Sequence, residues 1–378
     1  MTTGSRVAEQ ARRGCIVMAI LHPSARGPLP KIAPLLIEAL QDEGWAVTST
    51  SWGGRRPDET RAFKVVSRSW ELLKAWSHLA LQPGAVLFVN SSPSRKGTAR
   101  DLPLVLGARL LGHKAIVLWH GSDPRVMTAH RHSRLARGCA LLSRCTDAIL
   151  VLSAAELDGW RRALPRGSFF QVTNPYVAKM PPSPEGADRS CAILFVGRVM
   201  RAKGVFELLE AFDRLSATRA CSLSIVGDGP DMPAVLDWID RHGLAALTEL
   251  PGYLDEAGVR QLYARADMFV LPTSHAEGFP TVVSEAMDAG LPIVTTRRGG
   301  TPDHLEEGVN ALFVQVGDVA GLEAAIARLM DDPQLRRTMG AANRVKVQSF
   351  APKVVVRQYL RVLDYVTEAS RVERARRS

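Results

Sequence analysis

The sequence predicts an α/β protein made of two doubly wound domains, and three features support this prediction. Short apolar, β-branched segments alternate with amphipathic segments along most of the 378 residues. Strands that are apolar throughout are typical of parallel sheets covered by helices on both faces. A segment rich in Pro, Ser and Gly, residues 174–190, separates two such series and has the composition of a linker. We therefore predict domains over residues 1–180 and 181–350, followed by a C-terminal segment over residues 351–378.

The first series has five strand candidates with helical segments between them. The apolar runs cover residues 15–21, 45–51, 85–90, 115–120 and 147–153. One intervening segment, residues 32–44, is amphipathic and ends at Gly44, a residue suited to a helix C-terminus. The alternation predicts parallel strands joined by crossover helices.

The second series is more regular and predicts six strands. They cover residues 191–198, 222–230 with a terminal turn, 248–254, 268–273, 292–296 and 311–316. Helical segments cover residues 205–215, 232–243, 256–266, 280–289 and 322–332. Open sheets of this kind bind ligands at the carboxyl ends of their strands. We expect the two domains to face each other across a central cleft.

A last amphipathic helix is predicted over residues 354–369. Its apolar side chains recur at spacings of three and four, which places them on one face of the helix. They are Val355, Tyr359, Val362, Leu363 and Val366. We expect this helix to pack back on the first domain, with a basic tail over residues 371–377.

The net charge of +10 is unevenly distributed along the chain. Residues 1–180 carry 25 Lys and Arg against 12 Asp and Glu, a net +13, whereas the rest carries 23 against 26, a net −3. A basic first domain favours an anionic partner, and nucleic acid, a phospholipid surface and a phosphate-bearing substrate all fit. An Arg-rich composition without functional meaning is the alternative. Since no nucleic-acid-binding motif occurs, we expect no nucleic-acid partner.

The composition argues against several other classes of protein. No apolar run is long enough to cross a bilayer, and no secretory leader opens the chain. The five cysteines are odd in number and include no C-x-x-C, so neither a disulfide framework nor a structural zinc site is expected. These features predict a protein of the cytoplasm.

Two cations follow the first strand of the second domain, in the stretch FVGRVMRAKG over residues 195–204. Arg198 stands at the predicted strand end, and Lys203 comes just before a helix begins near Gly204. Strand ends of this kind point to the ligand side of the sheet. Two cations beside helix N-terminal amides suit a diphosphate, although a pair of ordinary surface cations is the alternative.

The stretch HAEGFPTVVSEAMDAGLP over residues 275–292 carries two carboxylates eight residues apart. Glu277 lies in the loop after a strand, whereas Glu285 lies inside a helix that we predict from about Pro280 to Ala289. Proline suits the first helical position because it needs no hydrogen-bond acceptor there. Because Glu277 lies in the loop and Glu285 in the helix, the two carboxylates can contact different parts of one ligand. The free amides between them can bind an anion. A carboxylate pairs well with the vicinal hydroxyls of a ribose.

Two glycine-rich turns follow predicted strands. They are IVGDGP over residues 225–230 and GGTPD over residues 299–303. The first is not a P-loop, because no Gly-Lys-Ser/Thr follows it. It also lacks the third glycine of the dinucleotide fingerprint, since position 232 is Met232. Glycine in such turns serves either the turn geometry or the close approach of a ligand.

These motifs together resemble the retaining nucleotide-sugar glycosyltransferases of the GT-B fold, family 4 (group 1). The matching stretches are F-V-G-R…K-G, V-G-D-G-P, E-G-F-P…S-E-A-M…G-L-P-I-V, G-G-T-P-D and N-A-L-F-V, in the family's order and spacing across residues 191–350. The E-x7-E element with its flanks is highly specific. The resemblance implies two Rossmann-like domains, of which the first binds the acceptor and the second binds the nucleotide sugar.

The resemblance also implies roles for individual residues. Arg198 and Lys203 would hold the donor diphosphate, Glu285 the ribose hydroxyls, and Glu277 the donor sugar near the reacting carbon. In the first domain, His120 at the end of a strand would contact the donor sugar. Further donor contacts would come from the backbone of Gly278, Phe279, Pro280 and Thr281 and from residues that flank the base, Tyr253 and Leu254.

Two departures from the family pattern concern the first domain. Members often carry a Gly-Gly pair in the first loop after a strand, whereas residues 22–30 offer only Gly27 for a place near the phosphates. Asn174 is followed by Pro175 where the family often has glycine. No Asp-x-Asp triplet occurs, so we expect no metal or other cofactor, with cations and helix dipoles stabilising the diphosphate instead.

The sequence therefore predicts a retaining glycosyltransferase that uses a UDP- or GDP-sugar. The basic first domain favours a glycan or lipid-linked acceptor of bacterial surface polysaccharide synthesis, at the inner face of the cytoplasmic membrane. Two alternatives stay open. One is a non-catalytic relative that only binds nucleotide sugar, and the other is a different GT-B enzyme, such as a nucleotide-sugar epimerase.

Overall fold

The structure is a computed structural model, and it describes residues 13–22, 27, 29–53, 61–122, 126–127, 133–180, 190–275 and 277–375. Side chains of residues 61–65 and 369–375 are outside the description. The chain divides into two compact units, Met1–Pro175 with Pro352–Ser378, and Tyr176–Ala351.

The first unit holds a six-stranded parallel sheet in the order β2-β1-β3-β4-β5-β6. The strands are β1 Gly14–Ile20, β2 Trp45–Ser51, β3 Val86–Ser91, β4 Lys114–Trp119, β5 Ala148–Val151 and β6 Phe169–Gln171. The helices are α1 Leu29–Asp42, α2 Arg61–Ala80, α3 Arg95–Leu110, α4 Arg134–Cys145, α5 Ala154–Ala163 and the C-terminal α13 Pro352–Ala375. The sequence analysis missed β6, because three residues at a sheet edge are too short to show a periodicity.

Successive residues of each strand point to opposite faces of this sheet, so the first unit has two cores. Ile16 and Met18 face α1 and α13, whereas Val17 and Ala19 face the helices α2 to α5. The five apolar residues predicted on the last helix are all buried in the first of these cores. The Tyr359 hydroxyl also donates to the Thr173 carbonyl at 3.2 Å. The prediction that the C-terminal helix packs on the first domain is confirmed.

The second unit holds another six-stranded parallel sheet, in the order β12-β11-β10-β7-β8-β9. The strands are β7 Cys191–Val196, β8 Cys221–Val226, β9 Thr248–Gly252, β10 Met268–Leu271, β11 Ile293–Thr296 and β12 Ala311–Val314. The helices are α6 Val205–Ser216, α7 Met232–Arg241, α8 Glu256–Arg265, α9 Thr281–Ala289, α10 Thr301–His304, α11 Val319–Asp331 and α12 Pro333–Val347. Short 3₁₀ helices cover Arg201–Lys203, Ala245–Leu247 and Gln348–Phe350.

The strand order of the second sheet creates a topological switch point. From β7 the chain winds outwards through β8 to β9, and then returns to place β10 on the other side of β7. The loops after β7 and β10 therefore leave the same edge of the sheet in opposite directions, which opens a crevice for a ligand. None of the helices in the described ranges has both the length and the apolar character to cross a membrane.

Candidate functional site

The loops after β7 and β10 are joined directly at the switch point. The Ala202 carbonyl accepts hydrogen bonds from the backbone N–H groups of Ser274 and His275, at 2.9 and 3.0 Å. The Thr273 hydroxyl donates to the same carbonyl at 3.1 Å. The two motifs that the sequence analysis treated separately thus form one structure.

Lys203 and Glu277 form an ion pair across this junction. Lys203 ends the 3₁₀ helix Arg201–Lys203, and its Nζ donates to Glu277 Oε1. The lysine side chain is 9% exposed and the glutamate side chain 30%. The lysine is thus buried with its charge compensated, whereas the carboxylate is partly open to a ligand.

Arg198 lies in the same loop as Lys203 but in a different environment. Its side chain is exposed. Within the described chain its guanidinium has no hydrogen-bond or ion-pair partner. An arginine that is free in this way can form paired hydrogen bonds with a phosphate.

The glycines of the neighbouring turns serve the packing of loop against loop. A Cβ on Gly227 would lie 1.9 Å from the Gly197 carbonyl oxygen, and one on Gly229 would lie 2.0 Å from that of Val199. A Cβ on Gly299 would lie 1.6 Å from the Glu277 carbonyl oxygen. Glycine at these positions therefore allows the loops that carry Arg198 and Glu277 to pack closely against the neighbouring turns.

The N-terminus of α9 follows Glu277 closely. The helix begins at Thr281, and Pro280 is its N-cap, one residue later than predicted. In the described part of this segment no acceptor faces the N–H groups of Gly278, Phe279, Thr281 and Val282. The Phe279 ring is buried against His304 and Phe350, with ring centroids 4.5 and 5.4 Å apart. The ring thus anchors a row of free amides beside Glu277.

Glu285 lies one turn inside α9 and is half-buried. Its Oε2 accepts a hydrogen bond from the Tyr263 hydroxyl at 3.2 Å, and that hydroxyl also contacts the Val282 carbonyl at 3.0 Å. Burial, together with the negative charge of Glu285, raises the pKa of Tyr263 well above its usual value. Tyr263 therefore stays a donor that orients Glu285. The sequence analysis missed this residue, which stands in α8 without a motif.

The C-terminal end of α9 is fixed by a second buried carboxylate. Asp288 accepts hydrogen bonds from the backbone N–H groups of Lys179 and Met180, at 2.6 and 2.7 Å, and from the Tyr176 hydroxyl at 3.0 Å. Two contacts therefore hold the helix that presents Glu285, one at each end. Asp288 was also missed, because one acid in a helix gives no signal of its partners.

The remaining predicted residues of the second unit lie at the edge strand β9. Tyr253 directly follows this strand and is 64% exposed, and Leu254 beside it is half-buried. Most of the Tyr253 side chain is therefore at the surface, beside the carboxyl end of β9.

In the first unit, His120 follows β4 and is bonded to a residue of the neighbouring strand β3. Its Nε2 lies 3.0 Å from Asn90 Oδ1, and Asn90 Nδ2 donates to the Ala19 carbonyl at 3.2 Å. The Asn90 amide therefore directs its oxygen at the imidazole, which favours the tautomer with the proton on Nε2. Burial lowers the pKa of His120 to about 3. His120 is thus neutral, and in the described residues its Nδ1 has no partner.

The loop after His120 is held by α5. Trp160 Nε1 donates to the Ser122 hydroxyl at 2.9 Å.

Glu156 of the same helix is buried beside this loop. Its Oε2 accepts from Leu152 N–H at 3.1 Å and from the Ser153 hydroxyl at 3.2 Å. Its Oε1 accepts no hydrogen bond of normal geometry within the described chain. Ser122 lies close to the carboxyl group and favours its ionised form. Burial dominates and raises the pKa of Glu156. Asn90, Glu156 and Trp160 all escaped the sequence analysis.

Gly27 is the one predicted residue of the first loop that the structure describes. Its φ is +111°, a conformation that favours glycine, and a Cβ there would meet nothing within 4 Å. The rest of its loop, residues 23–26 and 28, lies outside the described residues. In the described ranges no group of three or more His, Cys, Asp or Glu is placed to hold a metal ion.

The chain is similar to known proteins in sequence and in fold. Residues 181–346 match the family of glycosyl transferases group 1. Glycogen synthase of Mycobacterium tuberculosis is 31% identical over 265 residues, which are 64% of this chain and 63% of that protein. The lipopolysaccharide core biosynthesis glycosyltransferase LpsE of Rhizobium meliloti is 28% identical over 248 residues, 64% of this chain and 71% of LpsE.

The structure of Anabaena HepE in complex with UDP-glucose superimposes with a TM-score of 0.71 and 16% identity, covering 93% of this chain and all of that one (100%). This likeness confirms the GT-B fold. LpsE is named a glycosyltransferase, and the family model that residues 181–346 match describes glycosyl transferases. The chain spans less than two thirds of the glycogen synthase that it matches (63%).

Proposed function

We propose that the protein transfers a sugar from a nucleoside-diphosphate sugar to an acceptor hydroxyl, with retention of the anomeric configuration. The observation that carries the proposal is the switch point of the second unit. There a buried lysine paired with Glu277, an unpaired Arg198 and a row of free amides stand within two adjoining loops. Cations and amides together suit a diphosphate, and the partly open carboxylate suits a sugar.

We assign the donor contacts accordingly. Arg198 and Lys203 bind the diphosphate with the N–H groups of Gly278, Phe279, Thr281 and Val282. Glu277 contacts the sugar near the reacting carbon. Glu285, oriented by Tyr263, accepts hydrogen bonds from the ribose hydroxyls. Tyr253 and Leu254 flank the base, His120 contacts the sugar through its free Nδ1, and Gly27 lies near the phosphates.

Leaving-group stabilisation supplies most of the proposed catalysis. The acceptor oxygen forms a bond to the anomeric carbon while the bond from that carbon to the diphosphate oxygen breaks. The acceptor proton passes to the departing diphosphate, since we assign Glu277 and His120 to the donor sugar and no described residue to the acceptor as a base. Negative charge grows on the diphosphate as the bond breaks, and preorganised cations stabilise it there. We propose that these groups suffice without a metal ion.

We propose a glycan or lipid-linked acceptor from bacterial surface polysaccharide synthesis. Two observations support it. The name of LpsE places that relative in lipopolysaccharide core biosynthesis, and the first 180 residues carry a net +13. A basic domain is attracted to an anionic membrane surface. We therefore place the protein at the inner face of the cytoplasmic membrane.

A thermal-shift screen with UDP, GDP, ADP and their sugars tests the donor. A ligand that binds the native state raises the melting temperature by mass action, so the correct base stands out from the others. No shift with any nucleotide would contradict the proposal.

Product analysis then separates transfer from the alternatives. NMR of the product is expected to show the anomeric configuration of the donor. Binding without turnover would indicate a non-catalytic relative, an inverted anomer would contradict retention, and a changed free nucleotide sugar would indicate an epimerase.

A further inference from the structure

A groove of about 1020 Å³ lies between α4 and α5 of the first unit. Its floor is apolar and includes Trp160, Leu164 and Leu141, of which Leu141 is 44% exposed. The groove extends to residues 164–167, which precede the amino end of β6. His120 stands at the opposite, carboxyl edge of the same sheet. The groove therefore differs from the candidate site.

Four exposed arginines surround this apolar floor, and none of the described residues that line the groove carries a carboxylate. They are Arg137, Arg144, Arg162 and Arg166. No hydrogen bond or ion pair joins their side chains to another described residue. Arg144 and Arg162 stand in the last turns of their helices, where a cation is favourable. Arg137 stands in the first turn of α4 and Arg166 in a loop, so helix stability explains neither. The groove concentrates positive charge that nothing described in the chain neutralises.

The same face of the sheet carries exposed apolar side chains on α2 and α3. Val66, Trp70 and Leu73 of α2 are 69%, 70% and 55% exposed. They recur at spacings of four and three, and so form one stripe on the helix surface. The inner face of α2 is already buried, with Ala75 and Leu79 in the core. Leu110, at the end of α3, is 88% exposed.

We propose that this face of the first unit docks on an anionic lipid bilayer, with phosphate headgroups entering the arginine groove. Charge complementarity favours this occupant, because four unpaired cations over an apolar floor match an anionic headgroup joined to acyl chains. Trp70 and the exposed apolar side chains beside it supply the apolar contact with the membrane interface. The inference specifies the membrane association within the proposed function by naming the surface, and it does not depend on the identity of the donor.

Vesicle co-sedimentation of the full chain tests the groove. The wild type is expected to bind vesicles of phosphatidylglycerol and phosphatidylcholine, and to bind pure phosphatidylcholine weakly. The double variant Arg137→Gln/Arg166→Gln is expected to lose about 30-fold in affinity, since each basic residue near an anionic surface contributes about a factor of five. The matched control is Arg357→Gln/Arg361→Gln, which removes the same charge from exposed positions of α13 on the other face of the sheet. Equal losses in the two variants would overturn the role of the groove.

A second variant tests the apolar stripe without changing the charge. Trp70→Ser/Leu73→Ser is expected to weaken vesicle binding at high salt, where electrostatic attraction is screened. Absence of binding by the wild type would overturn the proposal, as would a self-association that these variants abolish, because a second copy would then cover the face. All variants are expected to keep the nucleotide-induced thermal shift. A protein that binds vesicles but shifts with no nucleotide would contradict the proposed donor and leave the docking surface intact.

Discussion

The two units present different chemistry at the carboxyl edges of their sheets. In the second unit the edge carries charge, with Lys203 paired to Glu277 and Arg198 unpaired. In the first unit the edge carries His120, which is neutral and hydrogen-bonded to the uncharged Asn90. Similar parallel sheets thus support a charged site in one unit and a neutral one in the other.

The difference has a physical reason that follows from the proposed roles. A site for a diphosphate must supply cations, and a lysine can be buried only if a carboxylate compensates its charge. A group that contacts a sugar needs only hydrogen bonds, and a neutral imidazole with a free nitrogen provides one. The surplus charge of the first unit therefore has another use, and we assign it to the membrane surface.

Removing the buried cation is the most severe way to break the charged edge. Lys203→Ala is expected to lower kcat/KM by about 10²- to 10³-fold, since the amine would stabilise charge that develops on the leaving diphosphate. Steady-state kinetics with the donor found by thermal shift measure the effect. Arg214→Ala is the control, because Arg214 forms exposed ion pairs on α6 and is expected to contribute about 1 kcal/mol or less to stability.

The double variant Lys203→Ala/Glu277→Gln shows whether the lysine acts only as the partner of Glu277. Loss of the lysine alone leaves a partly buried carboxylate unpaired, which is destabilising in itself. If the double variant were as active as Glu277→Gln alone, the lysine would serve structure and not the diphosphate. We expect its melting temperature to recover and its activity to stay below that of Glu277→Gln.

The comparison of the two edges also shows what the sequence can and cannot predict. The alternation of apolar strands and amphipathic helices predicts both sheets, and strand ends predict which loops carry ligand residues. Arg198, Lys203 and Glu277 became candidates in this way, and Glu285 became one through its spacing from Glu277. Their contacts could not be predicted, because the ion pair depends on β10 lying beside β7, and strand order is a long-range property that local periodicity does not contain.

The neutral edge was harder to predict, because its supporting residues belong to no motif. Asn90 is one polar residue at the end of an apolar strand, and Glu156 is one acid in a short helix. Each acquires its role only from what folding places beside it. The same is true of Tyr263, whose contact with Glu285 joins two helices.

Weakening the proposed ribose contact of Glu285 tests the second carboxylate of the charged edge. Glu285→Gln is expected to raise KM for the donor by about 10- to 100-fold with a smaller change in kcat, since charge-assisted hydrogen bonds contribute about 1.5–3 kcal/mol. Tyr263→Phe is expected to act in the same direction and less strongly, because the carboxylate stays but loses its orientation. Donor titrations by calorimetry give the affinity directly. If kcat fell and KM did not change, the ribose assignment would be wrong.

The neutral edge can be probed through pH. Burial lowers the pKa of His120 to about 3, so the unfolded chain binds a proton at this residue below its ordinary pKa of 6.5 while the native state does not. Stability from this group is therefore complete above about pH 6.5 and is lost as the pH falls towards 3, by at most about 1.4 kcal/mol per pH unit. The melting temperature of His120→Gln should accordingly fall less between about pH 7 and pH 5 than that of the wild type. Parallel curves for the two proteins would show that His120 is not buried in its neutral form.

The smallest expected effect concerns Glu156, whose pKa is shifted in the opposite direction to that of His120. Burial raises its pKa, so the native state keeps this proton at pH values where the unfolded chain has released it. The resulting stability is present at low pH and is lost as the pH rises through the raised pKa. Glu156→Gln removes the ionisation while its amide oxygen can still accept from Leu152 N–H. Its melting temperature should match that of the wild type near about pH 4 and exceed it near about pH 8.

Kinetics of the same variant test whether Glu156 positions His120. Because Ser122 lies beside Glu156 and two residues after His120, the Gln variant should keep kcat within about twofold if the amide holds the loop as the acid does. Glu156→Leu removes the carboxyl oxygen that accepts from Leu152 N–H and from the Ser153 hydroxyl. It should lower kcat more than it weakens donor binding. A Leu variant with normal kcat would show that the His120 loop holds its position without α5.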